Sequence, residues 1–334
     1  MRLTPFSRKS ICGAALLAAL AAQFAAEAWS QPAWRPEKAV EIILPAAAGG
    51  TNDQMVRLMQ KILQDQKLVS VPVVPINKAG GNQTLAMVYL NQHPADPHYL
   101  FYATATIFTN QIAGLTPLHY ADLTPLALFL VDHTVITVRA DSPMKSLRDL
   151  VERLKADPGS IAFGMVARGG PNHLALSQAM RSAGIDPRKL KTIVFKTNAE
   201  SIVAVVGGHI HAVVCSVSAA LPQVQAGNTR LLAIAAPQRQ TGALASVPTL
   251  REQGIHANGI ANWRAAFGAK GLTPAHVAFW EDALARMAAA EDWKAQLAEN
   301  NLASQFLRGK DFAQYLQAEY HDTRAAMIDL GLAR

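Results

Sequence analysis

The chain has 334 residues, of which 50% are apolar and 16% charged. It can therefore bury a large core, and it is too long for a single compact lobe. Its net charge of +7 is spread along the sequence without a long block of like charge, which argues against a nucleic-acid-binding tail and weakly favours anionic ligands.

The first 30 residues have the three parts of a cleaved export signal: basic residues, an apolar stretch rich in alanine, and a small-residue site. Ala28 and Ser30 are the candidate cleavage positions. The alternative is an uncleaved membrane anchor, but the apolar stretch is shorter than the roughly 20 residues that a span needs. We therefore expect export to the periplasm and removal of residues 1–30.

Removal of the signal leaves Cys215 as the only cysteine, so no intrachain disulfide can form. Export followed by folding without disulfides suits a bacterial periplasmic protein. A reactive thiol would need a setting that lowers its pKa. The segment "HAVVCSVSA" instead predicts a buried strand, in which Cys215 is a small apolar residue.

From residue 39 onward, strand-like and helix-like patterns alternate. Strands are predicted at 39–45, 71–77, 99–105, 160–166, 191–197, 211–217 and 229–236, and two further extended runs within 123–140, around Val131, Asp132 and His133. Helices are predicted at 51–66, 82–92, 146–156, 171–184, 199–208, 219–227, 274–290, 291–301 and 309–331. Two of these helices carry their own boundary signals, because Ser146 is a predicted N-cap and Gly184 a predicted helix end.

This alternation predicts an α/β protein with mostly parallel sheets and helices on both faces. The strands are too many for one sheet of about six, so we expect two lobes. No flexible linker separates the lobes, and the apolar runs near 126–138 and 231–262 are the expected crossovers. The prediction assigns 31–135 plus 263–334 to lobe I and 136–262 to lobe II.

The motifs of common enzymes are missing from the sequence. It contains no G-x-S-x-G, H-E-x-x-H, Walker or Cys-x-x-Cys motif. His209 and His211 could share one face of a strand, but no further ligands accompany them, and a surface turn is the favoured interpretation. His133 and His173 are likewise isolated from any nucleophile. We expect a protein without catalytic residues, metal or cofactor.

A different feature recurs: a strand leads into a small, polar loop and then into a helix. It occurs in "PAAAGGTND", "YATATIFTNQ", "GMVARGGPNHLA", "FKTNAES" and "CSVSAALP". The carboxyl ends of parallel strands carry the ligand in such sheets, and helix N-termini attract anions. Each loop alone is adequately explained as an ordinary turn. Together, on two lobes, they predict a cleft for a small anion.

Short motifs also link the chain to a known family. In chain order they are "PAAAGGTND", "ADLTPLALF", "DPGSIAFG", "NHLA", "VVGGHIHAVV", "VQAGNTRLLAIAAPQR" and "SVPTLREQGI". Each motif is weak alone. Their order and spacing together resemble the exported solute receptors of the tripartite tricarboxylate transporter systems, the Bug family.

The resemblance implies a two-lobed, periplasmic-binding-protein-like clamp, which agrees with the lobes predicted above. It implies that a small carboxylate binds between the lobes of a monomer and passes to membrane permease subunits. Two alternatives stay open: a periplasmic sensor that presents the carboxylate to a signalling partner, and an enzyme on the same scaffold. Family members usually have an aromatic residue at Ala46 and small residues at Met165 and Val166, so an altered pocket is expected and no single ligand is implied.

The expected ligand contacts come from these loops. The backbone N–H groups of Gly49, Gly50 and Thr51 are predicted to bind one carboxylate, while Asp53 more readily caps the next helix. Arg168 either clamps a distal carboxylate or stays solvated, and the hydroxyl-bearing residues either donate to the ligand or cap strand ends. The full set is Ala46, Ala48, Gly49, Gly50, Thr51, Asp53, Thr104, Thr106, Met165, Arg168, Gly169, His173, Lys196, Thr197, Ser216 and Ser218.

Overall fold

The computed structural model describes residues 34–49, 51–257 and 260–334. The predicted signal, Gly50 and the side chain of Thr51 lie outside the described part. Pro36–Arg334 form one compact unit that holds two β-sheets. None of the helices in the described ranges combines the length and the hydropathy that crossing a membrane requires.

The strands are numbered in the order in which they occur along the chain. They are β1 (Val40–Leu44), β2 (Val73–Asn77), β3 (Tyr99–Thr104), β4 (Thr124–Asp132), β5 (Thr134–Arg139), β6 (Ala162–Met165), β7 (Lys191–Val194), β8 (Ala212–Ser216), β9 (Thr229–Ala235), β10 (Asn262–Gly268) and β11 (Ala303–Arg308). The first sheet has the order β11-β4-β10-β3-β1-β2 and the second the order β7-β6-β8-β5-β9.

The α-helices connect these strands and form most of the C-terminal segment. They are α1 (Thr51–Asp65), α2 (Thr84–Asn91), α3 (Thr106–Ile112), α4 (Leu147–Ala156), α5 (Pro171–Ser182), α6 (Asn198–Val206), α7 (Val217–Gln225), α8 (Pro274–Ala289), α9 (Glu291–Glu299) and α10 (Gly309–Asp329). The helix boundary signals in the sequence are confirmed: Ser146 and Asp149 form a capping box at α4, and Gly184 follows α5 at φ 79°.

The sheets are mixed, which corrects the expectation that they are mostly parallel. β1 pairs in parallel with β2 and β3, and β6 with β7 and β8. β5, β10 and β11 run antiparallel to their neighbours. The cause is the route of the chain. β5 follows directly on β4 and β10 returns from the second sheet, so each starts at the strand ends where the two sheets are joined and runs against the strands before it. β11 follows β10 through α8 and α9 and runs in the same direction as β10, because both are antiparallel to β4.

Helices cover both faces of each sheet, as predicted. In the second sheet, α4 and α5 pack on the face that contains Phe163, while α6 and α7 pack on the face that contains Val213. In the first sheet, α2, α3 and α10 surround Phe101 on one face, and Trp293 of α9 contacts Phe129 on the other. The α/β, two-lobed architecture is therefore confirmed.

Two crossings join the sheets, and the first is only one residue long. β4 ends at Asp132 and β5 begins at Thr134, with His133 between them. In the ladders, Asp132 lies opposite Asn262 and Thr134 opposite Ser216. Polar strand ends from both sheets therefore meet at this crossing. The predicted residue bounds of the lobes stay a prediction, since strand membership does not fix where each lobe ends.

Candidate functional site

A polar pocket lies beside the first crossing and receives residues from both sheets. It encloses 480 Å³, which falls within the range of about 300–1,000 Å³ that small-molecule sites span. Its walls combine apolar residues such as Met55 and Leu130 with an unusually polar set. Its polar lining includes Asn52, Tyr102, Asp132, Asn198, Asn262 and Arg264.

Arg264 is the only basic residue that lines this pocket in the described part of the chain. Its Nε donates to Asn52 Oδ1 at 2.9 Å, and its Nη1 donates to Asn262 Oδ1 at 2.7 Å. The backbone carbonyls of Asn262 and Trp263 each accept from Nη1 at 3.1 Å. No described residue accepts a hydrogen bond from Nη2. The guanidinium is therefore fixed in place with donors left for a ligand.

Tyr102 places a second unsatisfied group at the pocket. The residue is 1% exposed, and its hydroxyl has no hydrogen-bond partner among the described residues. Burial raises the pKa of Tyr102 to about 12, so the hydroxyl stays protonated at neutral pH. A buried polar group without a partner costs roughly 1–3 kcal/mol. A ligand oxygen that bonded this hydroxyl would remove that cost.

Asp132 contributes a buried negative group at the end of β4. It is 5% exposed, and Ser218 donates to it twice: the N–H to Oδ1 at 3.3 Å and the hydroxyl to Oδ2 at 2.6 Å. Burial raises the pKa of Asp132, although the Ser218 bonds and the charge of Arg264 act in the opposite direction. Since Ser218 lies in the first turn of α7, the carboxylate occupies a helix N-terminus.

Asn198 brings a third unsatisfied atom, from the first turn of α6. Its Oδ1 is buried and has no hydrogen-bond partner in the described chain. Asn52, near the start of α1, lies on the opposite wall. Three helix N-termini therefore point towards one pocket, and one of them is already occupied by Asp132.

The glycine loop after β1 was predicted to bind a ligand carboxylate, and its hydrogen bonds give a different result. The N–H of Gly49 donates to Asp53 Oδ2 at 2.9 Å, and Arg57 Nε donates to the same oxygen at 2.9 Å. Asn77 Nδ2 donates to Asp53 Oδ1 at 3.0 Å and to the carbonyl of Ala46 at 2.9 Å. Asp53 therefore fills the anion position itself.

The electrostatics of this loop agree with that arrangement. Hydrogen bonds from Arg57, Gly49 and Asn77 lower the pKa of Asp53 to about 2. Gly49 has φ 84°, a left-handed conformation that glycine adopts without strain. In this structure the protein's own carboxylate accepts the bond from the Gly49 N–H, and contact of that N–H with a ligand stays a prediction. Ala48 is exposed beside it.

The hydroxyl residues divide between two places. Ser216 and Ser218 line the pocket, where both hydrogen-bond Asp132. Thr104 bonds Gln83 instead, since its Oγ1 accepts from Gln83 Nε2 at 2.8 Å and lies 3.1 Å from the Thr106 hydroxyl. Thr104 and Thr106 thus help to hold the loop before α2 and do not line the pocket.

The predicted contacts after β6 lie away from the pocket. Met165 is 0% exposed within the core of the second sheet, so it does not face a ligand. Arg168 is exposed, and its Nη2 donates to Thr192 at 3.2 Å. The N–H of Gly169 donates to His173 Nδ1 at 2.9 Å, and burial lowers the pKa of His173 to about 4.

The remaining predicted positions are surface features. Lys196 and Thr197 are exposed, and the Thr197 hydroxyl caps α6 by accepting from the N–H of Glu200 at 3.1 Å. His211 accepts a bond from the N–H of Ala162 at 3.0 Å. Within the described ranges, no cluster of three or more potential metal ligands occurs. Burial in β8 raises the pKa of Cys215 to about 12, which confirms the expected buried cysteine.

Sequence reasoning missed Arg264, Tyr102 and Asn198, and it did not assign a role to Asp132. One signal could have identified two of them. Counting Asp, Glu, Lys and Arg, Asp132 is the only charged residue between 124 and 138, and Arg264 is the only one between 260 and 269. A lone charge in an apolar segment that crosses between lobes is therefore a site candidate, because such a segment passes beside the cleft.

The sequence of the chain is similar to those of known proteins. A family model described as "Tripartite tricarboxylate transporter family receptor" matches residues 55–332. Protein BugT of Bordetella pertussis is 29% identical over 245 residues, which cover 72% of this chain and 73% of BugT.

Solved structures support the same fold. A TctC solute binding protein from Polaromonas, solved without ligand, has a TM-score of 0.80 at 24% identity and covers 88% of this chain and 99% of its own. The R. palustris protein Rpa4515, solved with adipate, has a TM-score of 0.71 at 22% identity. The match covers 89% of this chain and 99% of the Rpa4515 chain. At these identities the likeness establishes the architecture alone.

Proposed function

The chain belongs to the tripartite tricarboxylate transporter receptor family, and on that premise we propose that it captures a small carboxylate between its lobes. It does so in the periplasm after export, and it delivers the ligand to membrane permease subunits. The family is one of receptors, and the proposed role for this chain is binding without chemistry.

The observation that carries the proposal is the fixed guanidinium of Arg264. Its Nε donates to Asn52 and its Nη1 to Asn262, so Nη2 can donate to a ligand. Charged hydrogen bonds to a carboxylate are among the strongest that a neutral-pH site offers. The free hydroxyl of Tyr102 supplies a second donor to the same ligand group. Adipate in the R. palustris relative is consistent with this ligand class.

Thermal-shift measurement with a panel of mono-, di- and tricarboxylates tests the binding role. A ligand that binds only the folded protein raises its melting temperature, by an amount that grows with ligand concentration. We expect at least one carboxylate to do so and amides of the same acids to have no effect. If no carboxylate shifts the melting temperature at millimolar concentration, the proposed binding function is wrong.

Uptake measurement tests the delivery step separately. Cells that lack this protein should fail to accumulate the radiolabelled carboxylate that the panel identifies, and expression of the full chain should restore uptake. A normal uptake rate in the deleted strain, with binding intact in the purified protein, would overturn delivery to a permease and leave the binding role standing.

A further inference from the structure

The pocket between the lobes has a charge pattern that a simple anion site lacks. Its charged residues in the described chain are Arg264, Asp132 and, at the rim, the exposed Glu299. The formal side-chain charges of these three residues sum to −1. A ligand with two or three carboxylates would therefore place one of them against an acidic residue.

Arg264 and Asp132 belong to the same face of the first sheet, yet they form no ion pair. Asp132 lies directly opposite Asn262, and Arg264 is two residues further along β10. Diagonal neighbours of this kind are about 7–8 Å apart at their Cα atoms. The guanidinium is held by Asn52 and Asn262, and the carboxylate is held by Ser218. Each charge is thus kept in place without its natural partner.

The polar atoms of the pocket also comprise both donors and acceptors that a ligand could bond. The Tyr102 hydroxyl is a donor and Asn198 Oδ1 an acceptor without a partner among the described residues. Arg264 bonds other described residues through Nε and Nη1, which leaves Nη2 as a further donor. Asp132 is itself an acceptor, and the groups that bond it, the hydroxyls of Ser216 and Ser218 and the N–H of Ser218, are all uncharged. The donors suit a carboxylate, and the acceptors suit an ammonium group.

We propose that the pocket binds a small zwitterion, with its carboxylate at Arg264 and Tyr102 and its ammonium group at Asp132 and Asn198. This inference rests on the proposed function and narrows its ligand to amino-carboxylates. Asp132 is buried and Arg264 is half-buried, and the two are held apart, so neither has an oppositely charged partner among the described residues. A ligand that carries both complementary charges pairs both residues at once. Burial that raises the pKa of Asp132 accords with a carboxyl group that lacks a cation until the ligand arrives.

Matched ligand pairs test the proposal by calorimetric titration of the mature protein at neutral pH. The pairs are glycine with malonate, β-alanine with succinate, and 4-aminobutyrate with glutarate. Each pair replaces an ammonium group with a carboxylate at constant chain length. We expect the amino acid to bind at least about tenfold more tightly in the best-binding pair, because a buried charge-assisted bond is gained instead of a repulsion.

Asp132→Asn is the diagnostic variant. Asparagine keeps an acceptor for Ser218 but removes the charge, so the preference for the amino acid should fall by about tenfold while binding of the dicarboxylate strengthens. Asp65→Asn, which alters an exposed acid at the end of α1, should leave the preference unchanged. Circular dichroism and the melting temperature verify that the variants are folded, and the wild-type titrations stand alone if Asp132→Asn does not fold.

The outcomes separate this inference from the proposed function. If dicarboxylates bind as tightly as amino acids or more tightly, the zwitterion assignment is wrong and the carboxylate receptor stands. If wild-type preference survives in Asp132→Asn, the placement of the ammonium group is wrong. If neither class binds while other carboxylates raise the melting temperature, the zwitterion is again excluded. If no carboxylate of any kind binds, the proposed function fails as well.

Discussion

The loop from Gly49 to Asp53 and the pocket around Arg264 are both polar, but they differ in what their polar groups bond. In the loop, Asp53 accepts bonds from Gly49, Arg57 and Asn77. Among the residues that line the pocket, the Tyr102 hydroxyl and Asn198 Oδ1 are buried without a partner in the described chain, and Arg264 bonds described residues through Nε and Nη1. The loop satisfies itself, whereas the pocket is completed only by a ligand.

The difference shows how a binding site can be recognised in this fold. Small residues and helix starts make an anion site available, but a nearby aspartate can occupy it permanently. At the start of α1, Asp53 accepts the bond from the Gly49 N–H, and at the start of α7, Asp132 accepts the bond from the Ser218 N–H. The informative feature is therefore a buried polar group that lacks a partner and also lines a cavity. Of the eleven buried side-chain atoms without a partner among the described residues, those of Tyr102 and Asn198 belong to residues that line this pocket, and the other nine do not.

Arg264→Gln should have the largest effect on binding. Among the described residues, Arg264 is the one cationic donor that lines the pocket, and the substitution removes it. Loss of a charged hydrogen bond of about 1.5–3 kcal/mol predicts a dissociation constant roughly 10- to 100-fold larger. Isothermal titration with the best carboxylate from the panel measures it. Arg148→Gln, on the exposed face of α4, is the matched control and should bind as the wild type does. Equal affinity in the two variants would contradict the pocket assignment.

Asp53→Ala should lower stability and leave affinity unchanged. The variant strands the N–H of Gly49 and the amide of Asn77 without their acceptor, at a cost of roughly 1–3 kcal/mol in the free energy of unfolding. Urea unfolding measures this change, and Asp65→Ala is the control for loss of an exposed acid. A clear loss of affinity with unchanged stability would show that the loop, and not the pocket, holds the ligand.

The acid limb of the stability profile gives an independent check on Asp53. Its pKa is lowered to about 2 when folded, against about 3.8 as the ordinary value, so the stabilisation is complete above pH 4 and is lost as the pH falls towards 2. The difference in unfolding free energy between wild type and Asp53→Ala should shrink over that window. A difference that stays constant from pH 5 to about 2 would mean that the ionised carboxylate is not the stabilising group.

The fold was largely predictable because its signals are local. The alternation of strands and helices, the Ser146 cap and the buried Cys215 each depend on neighbours in sequence. The antiparallel entry of β10 could not be predicted, since it depends on where a returning chain inserts among strands formed much earlier.

The site was only partly predictable, for the same reason. Ser216 and Ser218 were identified from a local strand-to-helix loop, and both line the pocket. The contacts that define its chemistry are long-range: Ser218 and Asp132 are 86 positions apart, and Arg264 and Asn52 are 212 apart. Asp53 and Gly49 are only four apart, but whether the glycine N–H turns to the aspartate or to the cleft depends on the folded loop.

Tyr102→Phe should have a smaller effect on binding and an opposite effect on stability. Loss of one neutral hydrogen bond of about 0.5–1.5 kcal/mol predicts roughly 2- to 10-fold weaker binding. The ligand-free protein should be no less stable, because the hydroxyl that is removed has no partner.

Tyr89→Phe is the matched control for this substitution, since the Tyr89 hydroxyl donates to Glu41 Oε2 at 2.8 Å. It should lower the melting temperature and leave affinity unchanged. If Tyr102→Phe destabilised the free protein as much as Tyr89→Phe does, the Tyr102 hydroxyl would have an internal partner, and its availability to a ligand would be excluded.

Arg168→Gln should have the smallest effect on binding. It tests directly whether the ligand carboxylate binds at Arg168 or in the pocket around Arg264. Arg168 is the other arginine for which the sequence suggested a carboxylate clamp, but its guanidinium donates to Thr192 at the surface and lies outside the pocket. Exposed contacts of this kind contribute little to stability, and long-range attraction to the ligand is screened over about 8 Å at physiological salt. Titration at 20 and 150 mM salt should therefore give wild-type affinity at the higher concentration and at most a slight weakening at the lower one. Strong loss of binding at both salt concentrations would show that Arg168 contacts the ligand carboxylate. The lobes would then have to close further than they do around the pocket at Arg264.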